Sequence, residues 1–335
     1  LASIFYVISL YDDSLQMKKD KHGRNRGENS LLYQLGWLDK LMVERWSEAL
    51  IDFIEEMNKC SLNRKEIPFR CVPTFDIDNT YAYRLKGRLR LVLSVFKDVF
   101  NGDKRRLKER SEVLNDKIKD PYDTFDKIQS IAKANELTKL FWLLGDYGKY
   151  DKNIPYTCKE QKYLIQKMNS CASVGLHPSY RSNTDTSRLK IEKNRLEKII
   201  KEKVQHTRQH YLKVQLPDTF RALEKEGFTD DYSLGYADVV GFRAGIARSF
   251  LWFDIERNQV SKLRLHPITY MDGTLKEYMN LSIEEALEWV SKLKDEVAEY
   301  GGDFVSLWHN ETIGDYQTWK GWSKVLEQSL ERNSL

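Results

Sequence analysis

Two carboxylates spaced one residue apart, Asp76 and Asp78, follow a short apolar run over residues 69–75. β-Branched and aromatic residues in this run predict a buried strand. Acidic side chains at the end of a buried strand are costly unless a metal ion, an arginine or a substrate compensates their charge. The pair could instead cap the following helix, since Asp is a favourable N-cap residue.

Three of the six histidines in the chain, His177, His210 and His309, fall at or near the ends of later candidate strands. One Asp and two His form a common ligand set for a catalytic divalent metal, with positions left for water and substrate. Asp78, His177 and His210 are therefore the candidate ligands. A metal bound there would lower the pKa of its water, which is the expected nucleophile.

The segment 204–212 contains a rival ligand, His206. His206 and His210 share a face whether the segment is a strand or a helix. We prefer His210 because it lies nearer the carboxyl end of the candidate strand. Arg208 shares that face in a strand, and it could be a polar group inside a barrel, paired with an acid.

Four further side chains would complete a set for hydrolysing an amide or an ester. Asp76, which is not needed as a ligand, could take a proton from water. Arg243 could hold Asp76 in its ionised form through a bidentate pair. Asp272 could orient His309, which would donate a proton to the leaving group.

Seven short apolar runs predict the strands that must position these residues. Amphipathic stretches separate most of them, which predicts a parallel sheet with its active site at the carboxyl ends of the strands. Seven strands in sequence indicate a barrel or a doubly wound sheet. The candidate strands are 69–75, 140–144, 173–177, 204–212, 239–242, 263–271 and 303–309, and the candidate helices are 83–99, 122–134, 157–171, 186–203, 217–226 and 282–300.

The composition indicates a soluble globular protein, because 41% of the 335 residues are hydrophobic and 31% are charged. The net charge of +4 is spread along the chain, so nucleic acid is not an expected partner. The four cysteines lie far apart, which favours a reducing compartment, and we expect a cytoplasmic protein. The apolar run 1–10 is too short to span a membrane and lacks the features of a signal peptide.

Residues 1–65 are expected to form an N-terminal helical region, in at least two pieces, and residues 66–335 a separate barrel domain. A charged, glycine-containing loop is predicted at 18–29 and a helical pattern at 31–58. The role of the N-terminal region is open: part of a second domain, a cap over the barrel bottom or a dimer surface. The oligomeric state is open too.

These motifs resemble those of the polysaccharide deacetylases that share the NodB homology domain, in a divergent bacterial branch. Residues 74–78, Thr-Phe-Asp-Ile-Asp, are similar to the first motif of the family, with one residue inserted between the acids. His177 matches the first histidine of the second motif, but Arg181 stands where the second belongs, so His210 would replace it. The third to fifth motifs are matched by 241–245 (Gly-Phe-Arg-Ala-Gly), 271–275 (Met-Asp-Gly-Thr-Leu) and 307–309 (Leu-Trp-His).

The resemblance implies an α/β fold, a distorted (β/α)7 barrel with an N-terminal helical extension. It also implies a hydrolase that removes acetyl groups from a bacterial polysaccharide or its precursor and uses a divalent metal, with zinc the expected ion. The partner would be an acetylated polysaccharide or oligosaccharide. Polar and aromatic residues near the strand ends suit sugar rings, and the candidate substrate contacts are Tyr81, Asp146, Asp151, Tyr180 and Trp308.

Two other functions fit the same residues. A barrel glycoside hydrolase could use two carboxylates, such as Asp76 and Asp272, without a metal. A non-catalytic carbohydrate-binding barrel is the other alternative, and Arg181 at the position of a ligand is its best support.

Overall fold

The computed structural model describes residues 1–331 and contains one nine-stranded sheet, largely parallel. Its spatial order is β6-β7-β5-β4-β3-β2-β1-β9-β8, and only the β6–β7 pair is antiparallel. The strands are β1 Phe69–Ile77, β2 Lys139–Leu143, β3 Ser173–His177, β4 His206–Thr207, β5 Asp230–Asp231, β6 Phe250–Asp254, β7 Gln259–Leu265, β8 Tyr270–Met271 and β9 Gly302–His309.

The sheet closes into a barrel because β7 and β8 form one continuous wall. β7 pairs with β5, whereas β8 pairs with β9 at the other end of the strand order. Between them, the Ile268 amide donates to the Leu234 carbonyl at 2.8 Å and the Thr269 amide donates to the Val305 carbonyl at 2.9 Å. The barrel therefore has seven walls, and the predicted (β/α)7 fold is confirmed.

Helices cover the outside of the barrel and precede it in the chain. No helix within residues 1–331 is long and apolar enough to cross a membrane. Short 3₁₀ turns lie at Gly27–Asn29, Tyr180–Asn183, His210–Leu212 and Gln317–Trp319, and a π-helical turn lies at Thr274–Tyr278. The α-helices are α1 Ala2–Ile8, α2 Tyr11–Leu15, α3 Leu31–Gln34, α4 Met42–Asn58, α5 Arg88–Phe100, α6 Lys104–Leu114, α7 Phe125–Ala134, α8 Lys159–Asn169, α9 Ser187–Ile200, α10 Asp218–Lys225, α11 Ile283–Tyr300 and α12 Ser323–Leu330.

The alternation of side chains along β1 sorts its residues between two layers. Phe75 and Ile77 belong to the large core between the strands and the helices. Val72 belongs to a small cluster with Phe141, Tyr232 and Val305. Because side chains on one face recur every second residue, Asp76 lies on the same side as Val72.

One of the seven predicted strands, 239–242, is wrong. That segment is a loop held by backbone bonds to other elements: the Phe242 amide donates to the Leu38 carbonyl at 2.7 Å and the Gly241 amide to the Thr269 carbonyl at 3.0 Å. The fifth wall is β5 instead, which consists of two aspartates and offers no apolar run to recognise. The predicted strand 204–212 is too long: only His206–Thr207 form β4, and the chain then enters the turn His210–Leu212.

The N-terminal helices pack directly against the barrel. Val7, Leu10 and Leu41 belong to the same buried cluster as the outer faces of the strands. The Val43 amide donates to the Gly245 carbonyl at 2.9 Å, which joins α4 to a barrel loop. The predicted helical pattern over 31–58 is divided into α3 and α4. The division into domains 1–65 and 66–335 stays a prediction.

Candidate metal centre

The carboxyl ends of neighbouring strands bring the predicted ligands together. Asp78 follows β1 directly, and His177 is the last residue of β3. His210 opens the short turn after β4, where Tyr211 has a left-handed backbone with φ of 64°. One ligand atom of each residue lies within 4.8 Å of the others. The structure therefore places Asp78, His177 and His210 in one cluster, as the sequence predicts.

The spacing of the donor atoms suits a metal ion. His177 Nε2 lies 3.1 Å from Asp78 Oδ1, and His210 Nε2 lies 3.3 Å from Asp78 Oδ2. Ligand bonds of about 2.0–2.2 Å around a tetrahedral ion place two donors roughly 3.4 Å apart. Asp78 Oδ1 and His177 Nε2 are buried and have no hydrogen-bond partner among residues 1–331. Buried polar atoms need a partner, and a divalent cation fits this donor set.

The other ring nitrogen of each histidine is fixed from behind. His177 Nδ1 lies 2.6 Å from the Arg208 carbonyl, which requires that nitrogen to be the donor and leaves Nε2 free. His210 Nδ1 lies 3.0 Å from Asp151 Oδ1. Such outer contacts fix the orientation of each ring. Asp151, predicted as a substrate contact, is buried behind His210 and positions that histidine, so the prediction is wrong in this respect.

The rival ligand His206 lies away from the cluster. Its ring neighbours Tyr232, and its Nδ1 is 3.9 Å from Asp230. Burial lowers the pKa of His206 to about 4, with Lys139 adding to the effect. Arg181, which stands at the position of a family ligand, is exposed.

Asp76 pairs with Arg208 inside the barrel, not with Arg243. Arg208 Nη1 donates to Asp76 Oδ1 at 3.0 Å, and both side chains are buried. The guanidinium also lies over the Phe141 ring, 4.4 Å from its centroid. The predicted Asp76–Arg243 pair is wrong, because the loop that carries Arg243 turns towards the N-terminal helices, where its Nε donates to Asp13 at 2.8 Å.

His309 and Asp272 form the predicted pair. Asp272 Oδ1 lies 2.9 Å from His309 Nδ1, and its Oδ2 accepts from the His309 amide at 2.8 Å and from Thr312 Oγ1 at 2.5 Å. The imidazole is oriented with Nε2 3.9 Å from Asp78 Oδ2. The strand register sets this position, since His309 of β9 pairs with Asp76 of β1.

The buried charges shift one another's pKa values. Burial opposes ionisation of Asp78, but the neighbouring His210 and His177 hold its pKa well below its usual range. Burial alone would lower the pKa of His210, yet the charge of Asp78 and the bond to Asp151 raise it to about 9. The pKa of His309 is likewise raised well above its usual value, against burial, by Asp272 first. Because a ligating histidine is neutral, a metal must displace a proton from His210.

The remaining predicted substrate contacts are dispersed. Trp308 is wholly buried and donates to the Tyr270 hydroxyl at 3.1 Å, so it cannot touch a substrate. Asp146 pairs with Arg188 at 2.6 Å and Arg195 at 2.9 Å on the helix side of the rim. Tyr81 lies edge-on to Phe125 in the outer core. Tyr180 packs against Tyr150 and Tyr211, with 4.2 and 5.4 Å between ring centroids, close to His210.

The cluster opens into a cavity of about 220 Å³ whose wall includes residues missed by sequence reasoning. Arg24, from the loop before α3, bonds the Tyr211 carbonyl at 2.7 Å and the Tyr278 hydroxyl at 2.9 Å. Glu311 also lines the cavity, and burial raises its pKa to about 7, helped by Asp78. Glu311 could have been predicted, because it follows His309 by two residues. No pattern in the sequence around Arg24 indicates a site.

A larger cleft, about 930 Å³, lies at the opposite end of the barrel. Pro68 and Gly301, which precede β1 and β9, are among its lining residues. It is therefore at the amino ends of the strands, where parallel barrels do not place their chemistry.

Comparisons with known proteins agree with the fold. Residues 1–59 match a family model described as a family of unknown function, DUF7033. No curated protein sequence matches the chain significantly. A crystal structure from Mycobacterium smegmatis, provisionally named a polysaccharide deacetylase, is similar over 81% of this chain and 87% of that chain, with 13% identity and a TM-score of 0.50.

A PuuE allantoinase structure is also similar, over 81% of this chain and 89% of that chain, with 13% identity and a TM-score of 0.48. At 13% identity, the likeness to the Mycobacterium smegmatis structure shows the fold alone.

Proposed function

We propose that this chain is a metal-dependent hydrolase that removes acetyl groups from an acetylated polysaccharide or oligosaccharide. The observation that carries the proposal is the joint position of the Asp78, His177 and His210 cluster, the Asp76–Arg208 pair and the Asp272–His309 pair at one barrel mouth. The likeness in fold to the Mycobacterium smegmatis protein, named as a deacetylase, supports the choice of acetyl groups.

Asp78, His177 and His210 would hold a divalent cation, which supplies Lewis-acid polarisation of the acyl carbonyl and activation of water. Zinc is the ion that best suits one carboxylate and two imidazoles with positions left open. The displaced proton of His210 and the fixed orientation of both rings belong to this loading step.

The chain itself moves two protons. Asp76 Oδ2, 3.6 Å from His177 Nε2, accepts a proton from the attacking water as the water oxygen bonds to the acyl carbon. Arg208 holds the Asp76 carboxylate in position for this step through its bond to Oδ1. When the carbon–nitrogen or carbon–oxygen bond breaks, His309 Nε2 gives a proton to the leaving atom, and Asp272 holds the imidazole in place.

A two-carboxylate glycosidase is less well supported by this geometry. Asp272 is wholly buried and accepts hydrogen bonds from His309, Thr312 and Gly273. Both of its oxygens are therefore occupied by protein donors. A glycosidase acid must instead face the glycosidic oxygen.

The test is the metal content of the purified protein, measured by elemental mass spectrometry for the wild type and His210→Ala, beside acetate release from acetylated oligosaccharides. We expect near-stoichiometric metal and acetate release in the wild type and loss of both in the variant. Absence of metal after incubation with zinc, cobalt or nickel would overturn the proposal. Full metal without release from amide- or ester-linked acetyl sugars would overturn the substrate class.

A further inference from the structure

Helix α5 presents its apolar side chains to solvent. Phe96 is 69% exposed and Phe100 is 92% exposed, values far outside those of core residues. Successive members are one or three residues apart, which is the spacing of one helix face. We call this face the α5 stripe, and its members are Leu89, Val92, Leu93, Phe96, Val99 and Phe100.

The opposite face of α5 is polar and turned inward. Ser94 and Asp98 both bond Arg110 of α6, and Asp98 and Arg110 are buried. Arg90 donates to the carbonyls of Lys152 and Asn153, at 2.6 and 3.2 Å. An amphipathic surface helix ordinarily buries its apolar stripe against the core. Here the polar face contacts the protein, so the apolar face is free to be covered by something else.

The α5–α6 region has a larger net positive charge than the whole chain. Residues 84–119 contain twelve Lys and Arg against five Asp and Glu, a net charge of +7. The whole chain has a net charge of +4, so the remainder is at −3. Arg88 and Lys97 are exposed on α5 beside the stripe, and Lys104 and Arg105 follow at the start of α6.

The exposed apolar residues and the surrounding positive charge together indicate what binds to the α5 stripe. A helix with exposed apolar residues flanked by cations lies flat in a membrane interface and favours anionic lipids. A second copy of the chain would set +7 against +7, and like charges across an interface are unfavourable. An anionic lipid surface satisfies both the apolar stripe and the surrounding cations.

We infer that α5 docks this protein onto an anionic membrane surface. The thirteen residues of α5 would lie in the interface over about 20 Å. Only residues 79–87 separate α5 from the ligand Asp78, so docking would hold the barrel mouth close to the lipid headgroups. This inference does not depend on the proposed function, because binding to lipid needs no catalysis.

The test is co-sedimentation with vesicles of phosphatidylcholine alone or mixed with phosphatidylglycerol, at low and high salt. We expect the wild type to sediment with the anionic vesicles and salt to weaken the binding. The double variant Leu93→Asp/Phe96→Asp should bind roughly tenfold less or worse, because it removes apolar area and adds negative charge. Arg88→Gln/Lys97→Gln should reduce binding to the anionic vesicles only.

A matched double variant on helix α4 serves as the control. Phe53 and Met57 of α4 are 59% and 68% exposed, against 60% and 69% for Leu93 and Phe96. Phe53→Asp/Met57→Asp should bind as the wild type does, and circular dichroism should show all variants folded. The inference is overturned if the wild type stays in the supernatant with anionic vesicles. It is overturned as well if Phe53→Asp/Met57→Asp loses as much binding as Leu93→Asp/Phe96→Asp. It is also overturned if sedimentation velocity shows a dimer that only the α5 variant dissociates, without vesicle binding.

Discussion

Two buried arginine–aspartate pairs, Asp13–Arg243 and Asp76–Arg208, differ in how many hydrogen bonds the aspartate accepts. Asp13 accepts bonds from Arg243, from the Tyr236 hydroxyl at 3.1 Å and from Asn25 at 2.8 Å. Asp76 accepts one side-chain bond, from Arg208, whose Nη2 has no partner among the residues described. The first pair joins the N-terminal helices to the barrel, and the second faces the metal cluster. Complete pairing is typical of a structural contact, and incomplete pairing leaves Asp76 able to react.

Removal of the Asp76 carboxylate tests this difference most strongly. Asp76→Asn should lower turnover by about 10²–10⁴-fold, the usual contribution of a general base. Metal content should be unchanged, since Asp76 is not a ligand in the proposed site. Initial rates of acetate release and elemental analysis measure both. A variant with full turnover would show that Asp76 is not the base.

Breaking the other pair should affect stability instead. Arg243→Met leaves the Asp13 carboxylate buried without its cation, which should lower the free energy of unfolding by about 3–5 kcal/mol. Urea denaturation followed by circular dichroism measures the change. Arg64→Met is the matched control: Arg64 is 45% exposed and pairs with Asp52 and Glu55, so its loss should leave the free energy of unfolding nearly unchanged. Equal effects of the two variants would contradict the assignment.

A third acidic group shows what happens when such a pair is only partly formed. Glu44 is buried, and its partner Arg248 is 39% exposed, with 3.3 Å between Nε and Oε1. Burial raises the pKa of Glu44 from 4.5 to about 7, although Arg248 acts against this shift. Because the folded-state pKa is above the unfolded value, the stability it contributes is complete below pH 4.5 and is lost as pH rises to about 7.

Glu44→Gln should therefore leave stability unchanged at pH 4 and increase it above pH 7 relative to the wild type. The full shift corresponds to about 3 kcal/mol. Urea denaturation of both proteins across this pH range gives the difference in unfolding free energy. A difference that does not vary with pH would show that Glu44 is ionised normally in the folded protein.

The smallest expected effect concerns the acid behind a ligand. Asp151→Asn should weaken metal affinity by about 10–100-fold, because it loosens and alters the orientation of His210. Competition with a metal-binding dye measures the affinity. The neighbouring acid Asp146 pairs with Arg188 and Arg195 and touches no ligand, so Asp146→Asn should bind metal as the wild type does. Equal loss in both variants would refute the positioning role of Asp151.

Local patterns in the sequence were sufficient for most of the fold. Apolar runs located β1, β2, β3 and β9, and the amphipathic stretches between them located α5, α7, α8, α9, α10 and α11. β5 was missed because it is two aspartates paired with its neighbours, and the closure of the barrel, not local composition, defines it. The loop at 239–242 resembles a strand in sequence because its apolar residues Val240 and Phe242 belong to the large buried core.

The candidate site was predictable where strand ends determine it. The Asp78, His177 and His210 cluster and the His309–Asp272 pair follow from residues at the carboxyl ends of neighbouring strands. The arginine was misassigned because chain order does not reveal which cation points into the barrel. Trp308 could have been excluded, since alternation in a strand turns it away from the face of His309.

The contact between Asp13 and Arg243 joins residues 230 positions apart in the chain. During synthesis, α1 and α2 leave the ribosome long before the loop at 235–248 that buries Val7 and Leu10. These two helices therefore lack that partner surface while the first five walls of the barrel are made. Completion of the N-terminal region is thus a late event in the biogenesis of this protein, although it is translated before the barrel.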